Sequence, residues 1–184
     1  TNSRYFFGNG DLLNREANIY IKSSAGTLVV GTQPNIAFKT VLLGEPRAGS
    51  NFGSALAMID IAGDLGTVDD AAISYTTPSL SGFTFSGQYV PQSKSTATAG
   101  GTDVKSGSRF SLAYSAGDLN IGVASYSSEI LGQTTKASGS ILSANYKIGA
   151  VTLKALSTSQ KTATTYAANA LNTTGVGGSY ALSA

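Results

Sequence analysis

The 184-residue chain contains no cysteine and no histidine. Without cysteine there is no disulfide framework and no thiolate metal site. Without histidine the commonest general base and metal ligand are missing. Charge is scarce as well. Asp, Glu, Lys and Arg together make up 12% of the chain, about half the usual globular share. The net charge of +2 is too small and too dispersed for a nucleic-acid footprint. No run approaches the length of a membrane-spanning apolar helix, and no basic–apolar–small leader opens the sequence. The abrupt start at TNSRYFF and the stop within GVGGSYALSA lead us to expect a segment of a longer polypeptide.

What is abundant is glycine, at 22 residues, with Ser, Thr and Asn standing where Lys and Glu usually do. Such a composition is unusual for a soluble domain. It suits a barrel with one face in lipid and the other lined by small polar groups. The strongest pattern is a tyrosine closing one alternating segment after another: AISY at Tyr75, SLAY at Tyr114, SANY at Tyr146 and GGSY at Tyr180. After the first three, a connector of a few residues leads into a new alternating run, Phe83–Tyr89, Leu119–Val123 or Val151–Ala155. Each of those runs out into a longer polar loop. Short turns ringed by aromatics on one side and long loops on the other are the signature of an outer-membrane β-barrel. The interface rewards tyrosine because its ring is apolar and its hydroxyl is wet.

Along the chain, alternation predicts strands at Arg15–Lys22 and Gly26–Gln33. A connection from Pro34 to Asp70 follows, long enough to suggest a functional loop. Further strands are predicted in AISYT, FTFSGQY, RFSLAY, LNIGVASY, ILSANYK, VTLKALS and the final GVGGSYALS, about nine in all. The segments PQSKSTATAGGTDVKSG, EILGQTTKASG and SQKTATTYAANALNTT are expected to be polar loops. The best helix candidate is Ser54–Ile61, inside the long connection. The fold class is therefore all-β, an antiparallel transmembrane β-barrel over residues 1–184, with 34–70 as one long connection. A soluble β-sandwich is the competing architecture, since it also alternates apolar and polar residues.

The residues REANIYI, GTLVVGTQ, AISYTTPSLSGFTFSGQYV and GVGGSYALS, taken in order, resemble the general porins of Gram-negative bacteria, most of all the betaproteobacterial and neisserial type. The resemblance implies a sixteen-stranded barrel of the outer membrane that assembles as a homotrimer, of which this chain would be a central portion. It implies a water-filled channel for passive diffusion of ions and small hydrophilic solutes. Its partners would be the lipid bilayer and, as a further candidate, lipopolysaccharide, with no cofactor. The alternative is a structural or adhesive barrel that anchors without conducting.

The long connection carries Glu45, Asp60, Asp64, Asp69 and Asp70 against Arg47. By resemblance this is the pore constriction loop, whose acidic groups face basic side chains across the lumen. The composition alone allows a solvated acidic surface loop equally well. Strand phase places Lys22, Arg109, Lys147 and Lys154 on polar, pore-lining faces, because a Lys or Arg in mid-bilayer costs about 2–4 kcal/mol. Two positions depart from the family pattern. Gly31-Thr32 stands where many relatives have Gly-Arg, and Ser74 stands where they carry Arg before the tyrosine. The sign of ion preference is therefore left open. Tyr75, Tyr114, Tyr146 and Tyr180 are expected to form a periplasmic aromatic girdle.

No enzymatic constellation competes. Asp69 and Asp70 are sequence neighbours that point oppositely on a strand, and no GxSxG elbow is present. GGTDVKSG lacks the glycine before its lysine that a phosphate loop needs. The expectation is a protein with no enzymatic activity and no metal.

Overall fold

The computed structural model describes residues 17–46, 68–91, 104–161 and 170–181. Nine strands and one helix follow in chain order: β1 (Ala17–Ser23), β2 (Gly26–Pro34), α1 (Ile36–Gly44), β3 (Val68–Thr76), β4 (Phe83–Val90), β5 (Val104–Ala116), β6 (Leu119–Ile130), β7 (Ala137–Ile148), β8 (Val151–Lys161) and β9 (Ala170–Tyr180). The strands form one sheet in strict sequence order, and each pair of neighbours is antiparallel. Between β1 and β2, β3 and β4, and from β5 to β8 the joining turns are too short for a crossover, so those pairs can only be antiparallel. Gly117, Gly149 and Gly132 have positive φ in three of those turns.

The two faces of the sheet have opposite chemistry. On one, here the apolar face, Ile73, Phe85 and Leu112 are 46, 44 and 45% exposed. On the other, the helix face, Ser74, Gln88 and Ser143 are buried. A sandwich would require the reverse, with the apolar residues in a dry interior. The larger buried cluster among the described residues, Ala37, Val41, Ala124, Tyr126, Ile141 and Leu156, lies on the helix face, where α1 packs across β5 to β8.

The helix is where sequence and structure part. The connection after β2 was expected to hold its helix at Ser54–Ile61, which lies outside the described residues. The observed helix begins immediately after β2. Asn35 caps it, its Oδ1 accepting from the backbone N–H of Ala37 at 2.8 Å and of Phe38 at 3.2 Å. The strands are also longer than alternation indicated. β5 begins at Val104, within the stretch assigned to a polar loop. β6 and β7 reach residues 130 and 137, leaving a turn in place of the longer EILGQTTKASG loop. β8 runs to Lys161 and β9 starts at Ala170, so the loop between them is also shorter than expected.

The register places the four tyrosines on one line. Tyr75 lies opposite Gly87, and Gly87 opposite Phe110. Tyr114 is four residues beyond Phe110 toward the short turns. Tyr114 shares its row with Ala144 through Ile121, and Tyr146 lies two residues further on. Tyr146 shares its row with Gly178 through Leu153, and Tyr180 again lies two further on. The tyrosine line thus falls by about 27 Å along the strands over about 29 Å across them. It is level only if the strands are tilted by about 40°, the tilt of a membrane barrel.

Candidate functional site on the helix face

The site is built from α1 and the wall beneath it. Ile36, Ala37, Thr40, Val41 and Gly44 are the buried face of the helix. They meet β6 where Gly122 leaves room. A Cβ on Gly122 would lie 2.9 Å from Leu43 Cδ2 and 3.0 Å from Thr40 Cγ2. At the other end a Cβ on Gly44 would lie 2.1 Å from the carbonyl oxygen of Ala155. At Gly44 the helix therefore touches the wall at backbone distance, which only glycine permits, while at Gly122 the close neighbours are helix side chains.

Both helix ends are tied to strands. At the start, Ile36 N–H donates to Gln88 Oε1 at 3.0 Å, and Gln88 Nε2 donates to the Pro34 carbonyl at 3.3 Å. Gln33 Nε2 donates to the Ala72 carbonyl at 2.8 Å, and Ser74 donates to Gln33 Oε1. At the end, a relay crosses three strands. Ser115 Oγ donates to Asn120 Oδ1 at 2.8 Å, Asn120 Nδ2 to Asn145 Oδ1 at 3.0 Å, and Asn145 Nδ2 to the Leu43 carbonyl at 3.1 Å. Lys154 Nζ donates to the Glu45 carbonyl at 3.2 Å. A cation and an amide thus meet the carbonyls that a helix terminus leaves unpaired.

The expected charged residues fall at different places on the sheet. Arg109 on β5 and Asp69 on β3 form a buried ion pair, Nη2 to Oδ1 at 2.8 Å. The guanidinium folds back over Gly107, where a Cβ would stand 2.3 Å from Nη1. Among the described residues Arg109 Nε and Nη1 and Asp69 Oδ2 have no further hydrogen-bond partner. Asp70 is half-buried and hydrogen-bonded to Thr32. Glu45 is fully buried beside Lys154, at the C-cap of α1. Lys22 and Lys147 lie by the short turns, exposed, and form no ion pair among the described residues. Lys22 sits 5.8 Å from the Tyr20 ring centroid. Arg47, Asp60 and Asp64 lie outside the described residues.

Several participants carried no signal in the charge pattern. Asn35, Gln88 and Asn145 are uncharged, and their roles depend on where α1 rests. Lys39 is the exposed residue on the helix side turned from the wall. The signal that could have found the helix was Asn35 before an apolar run ending in Gly44.

No curated protein matches the chain by sequence. Among solved structures it is similar to an anion-selective porin from Comamonas acidovorans, with 20% identity and a TM-score of 0.74. That match covers 92% of this chain and 53% of the other, so the chain spans about half the length of that porin. It is also similar to OmpT of Vibrio cholerae. The in-vitro folded trimer form gives 17% identity, a TM-score of 0.47 and coverage of 95% and 68%. The outer-membrane expressed form gives 17%, 0.45, and 92% and 66%. The Gram-negative porin family matches residues 2–184, and the chain belongs to that family of outer-membrane β-barrel proteins.

Proposed function

We propose that this chain forms wall and constriction of a water-filled channel for passive diffusion of ions and small hydrophilic solutes. The observation that carries the reading is the course of the chain after β2. It turns back over the face opposite the exposed apolar residues and is fixed there at both ends of α1. In a closed barrel that face is the lumen, so residues 34–70 narrow the pore. Asp69 and Arg109 stand on the wall, Lys154 and Glu45 stand at the end of α1, and Lys39 projects from its free side. Arg47, Asp60 and Asp64 belong to the same connection. Charges of both signs at a narrow point orient dipolar solutes and penalise apolar ones. Lys22 and Lys147, near the short turns, act on the periplasmic vestibule. Tyr75, Tyr114, Tyr146 and Tyr180 form the periplasmic girdle, because their line is level at the tilt of a membrane barrel. A homotrimer is part of this reading by family resemblance.

The test is planar-bilayer conductance of the intact polypeptide. Stepwise ohmic openings are expected, with a reversal potential in a salt gradient that reports ion preference. Silent insertion would overturn the channel reading and favour an anchoring barrel.

A further inference from the structure

The apolar face is not apolar over its whole height. On β5, β7 and β9 the last large apolar residue of this face lies four positions above the tyrosine: Phe110 above Tyr114, Leu142 above Tyr146 and Val176 above Tyr180. Two positions higher on each strand stand Ser108, Ser140 and Thr174. The register extends Ser108 and Ser140 into rows on the same face, while Thr174 ends the row below them, beside Ser157 and Leu142. One row is Ser125, Ser140, Ser159 and Asn172; the next is Ser108, Ser127, Ser138 and Lys161. Ser125, Ser140, Ser159, Asn172 and Lys161 are all exposed. With a rise of about 3.4 Å per residue and a tilt of about 40°, the Ser108, Ser140 and Thr174 positions lie about 15 Å above the tyrosines. Ser138 and Asn172 lie about 21 Å above them. A membrane barrel normally presents an apolar band of about 25 Å. Its upper part is here replaced by hydroxyl and amide groups.

We propose that these rows dock the polar headgroups of the outer leaflet, so that on the β5–β9 side the bilayer hydrocarbon is thinned to about 15 Å. This rests on the membrane-spanning reading of the sheet. Exposed hydroxyls in hydrocarbon would have no partner, which is unfavourable at every position of two rows. A second protein copy fits poorly, since from β6 to β9 the rows offer no aromatic or large aliphatic anchor of the kind that centres protein interfaces; Phe110 and Tyr89 continue them only on β5 and β4. Headgroups supply both what hydroxyls need and the anionic phosphate that suits Lys161 at the top of the rows. Mismatch of this kind is accommodated by local bilayer thinning.

The absence of cysteine from this chain gives a direct test. Single substitutions Ser140→Cys and Ser159→Cys are made in the intact polypeptide, with Leu142→Cys as the lipid-facing control and Leu131→Cys, in the exposed β6–β7 turn, as the rim control. The proteins are reconstituted in dioleoylphosphatidylcholine vesicles and exposed to a membrane-impermeant maleimide. Ser140→Cys and Ser159→Cys are expected to label within about threefold of the rim control, and Leu142→Cys at least about tenfold more slowly. Serine positions as slow as Leu142→Cys would overturn the proposal. So would slow labelling that becomes fast only when oligomers are dissociated, because a neighbouring copy would then cover the rows. Fast labelling of Leu142→Cys would instead overturn the membrane placement of this face. Insertion yield gives an independent measure: it is expected to be several-fold higher in dilauroyl than in dioleoyl vesicles, and equal yields would count against thinning.

Discussion

Asp69 and Arg109 come from strands that are not neighbours, yet they meet across β4 at 2.8 Å with side-chain exposures of 4% and 1%. Gln88 on β4 lies opposite Arg109 in register and reaches toward α1 instead. The pair therefore stitches β3 to β5 over a strand whose own polar side chain is committed to the helix. Removing one member leaves a buried charge uncompensated, which costs about 3–5 kcal/mol. Asp69→Ala and Arg109→Ala should each lower the denaturant midpoint of the folded barrel. The double variant should recover part of that loss, and strict additivity would show that the pair is not coupled.

Lys39 makes a prediction about selectivity. Reversing its charge on the free side of α1 should move the salt-gradient reversal potential toward cation preference. About a twofold change in permeability ratio is expected at low ionic strength and less at high salt, because an exposed charge is screened. An unchanged potential for Lys39→Glu in a conducting channel would place Lys39 away from the ion path.

The seat of the helix is sensitive to volume. Gly44→Ala and Gly122→Val each add carbon where backbone or side chain already stands. Overpacking should destabilise by about 1–3 kcal/mol and loosen α1 from the wall. Larger or noisier single-channel conductance is the expected readout. Quiet channels of unaltered conductance would show that α1 is not what narrows the pore.

Leu112 and Ser111 are adjacent on β5 and face opposite ways, 45% exposed and half-buried respectively. Leu112→Arg should destabilise by about 2–4 kcal/mol in a bilayer, whereas Ser111→Arg should chiefly alter conductance. Unfolding in lipid vesicles and channel recording on the same two variants separate these outcomes.

The strand order and the sidedness of the sheet were legible because period-two contrast is strong wherever Phe, Leu, Ile or Tyr alternates with Ser or Thr. The strand ends were not. In Ser127-Ser128-Glu129 and Ser157-Thr158-Ser159-Gln160 both faces are polar, so the contrast vanishes although the ladder continues. The helix was missed for a related reason. IAFKTVLLG is short and apolar nearly all round, and its polar cues, Asn35 and Gly44, flank it rather than pattern it. Arg109 facing the helix side followed from phase. Its partnership with Asp69 did not, because it depends on a register across three strands. The bed for α1 was invisible in the sequence, since Gly122 in a strand reads as a weakness until something packs on it.

The hydrogen bonds at the end of α1 join residues far apart along the chain, Leu43 to Asn145 and Glu45 to Lys154, separations of 102 and 109 residues. The helix emerges after the second described strand, but its anchors arrive with the seventh and eighth. Assembly is therefore non-local at its centre. The helix cannot settle until β7 and β8 have joined the sheet. Docking of α1 and the pairing of β7 with β8 are consequently one coupled event, and a slow step in refolding should be shared by probes at Leu43 and at Lys154.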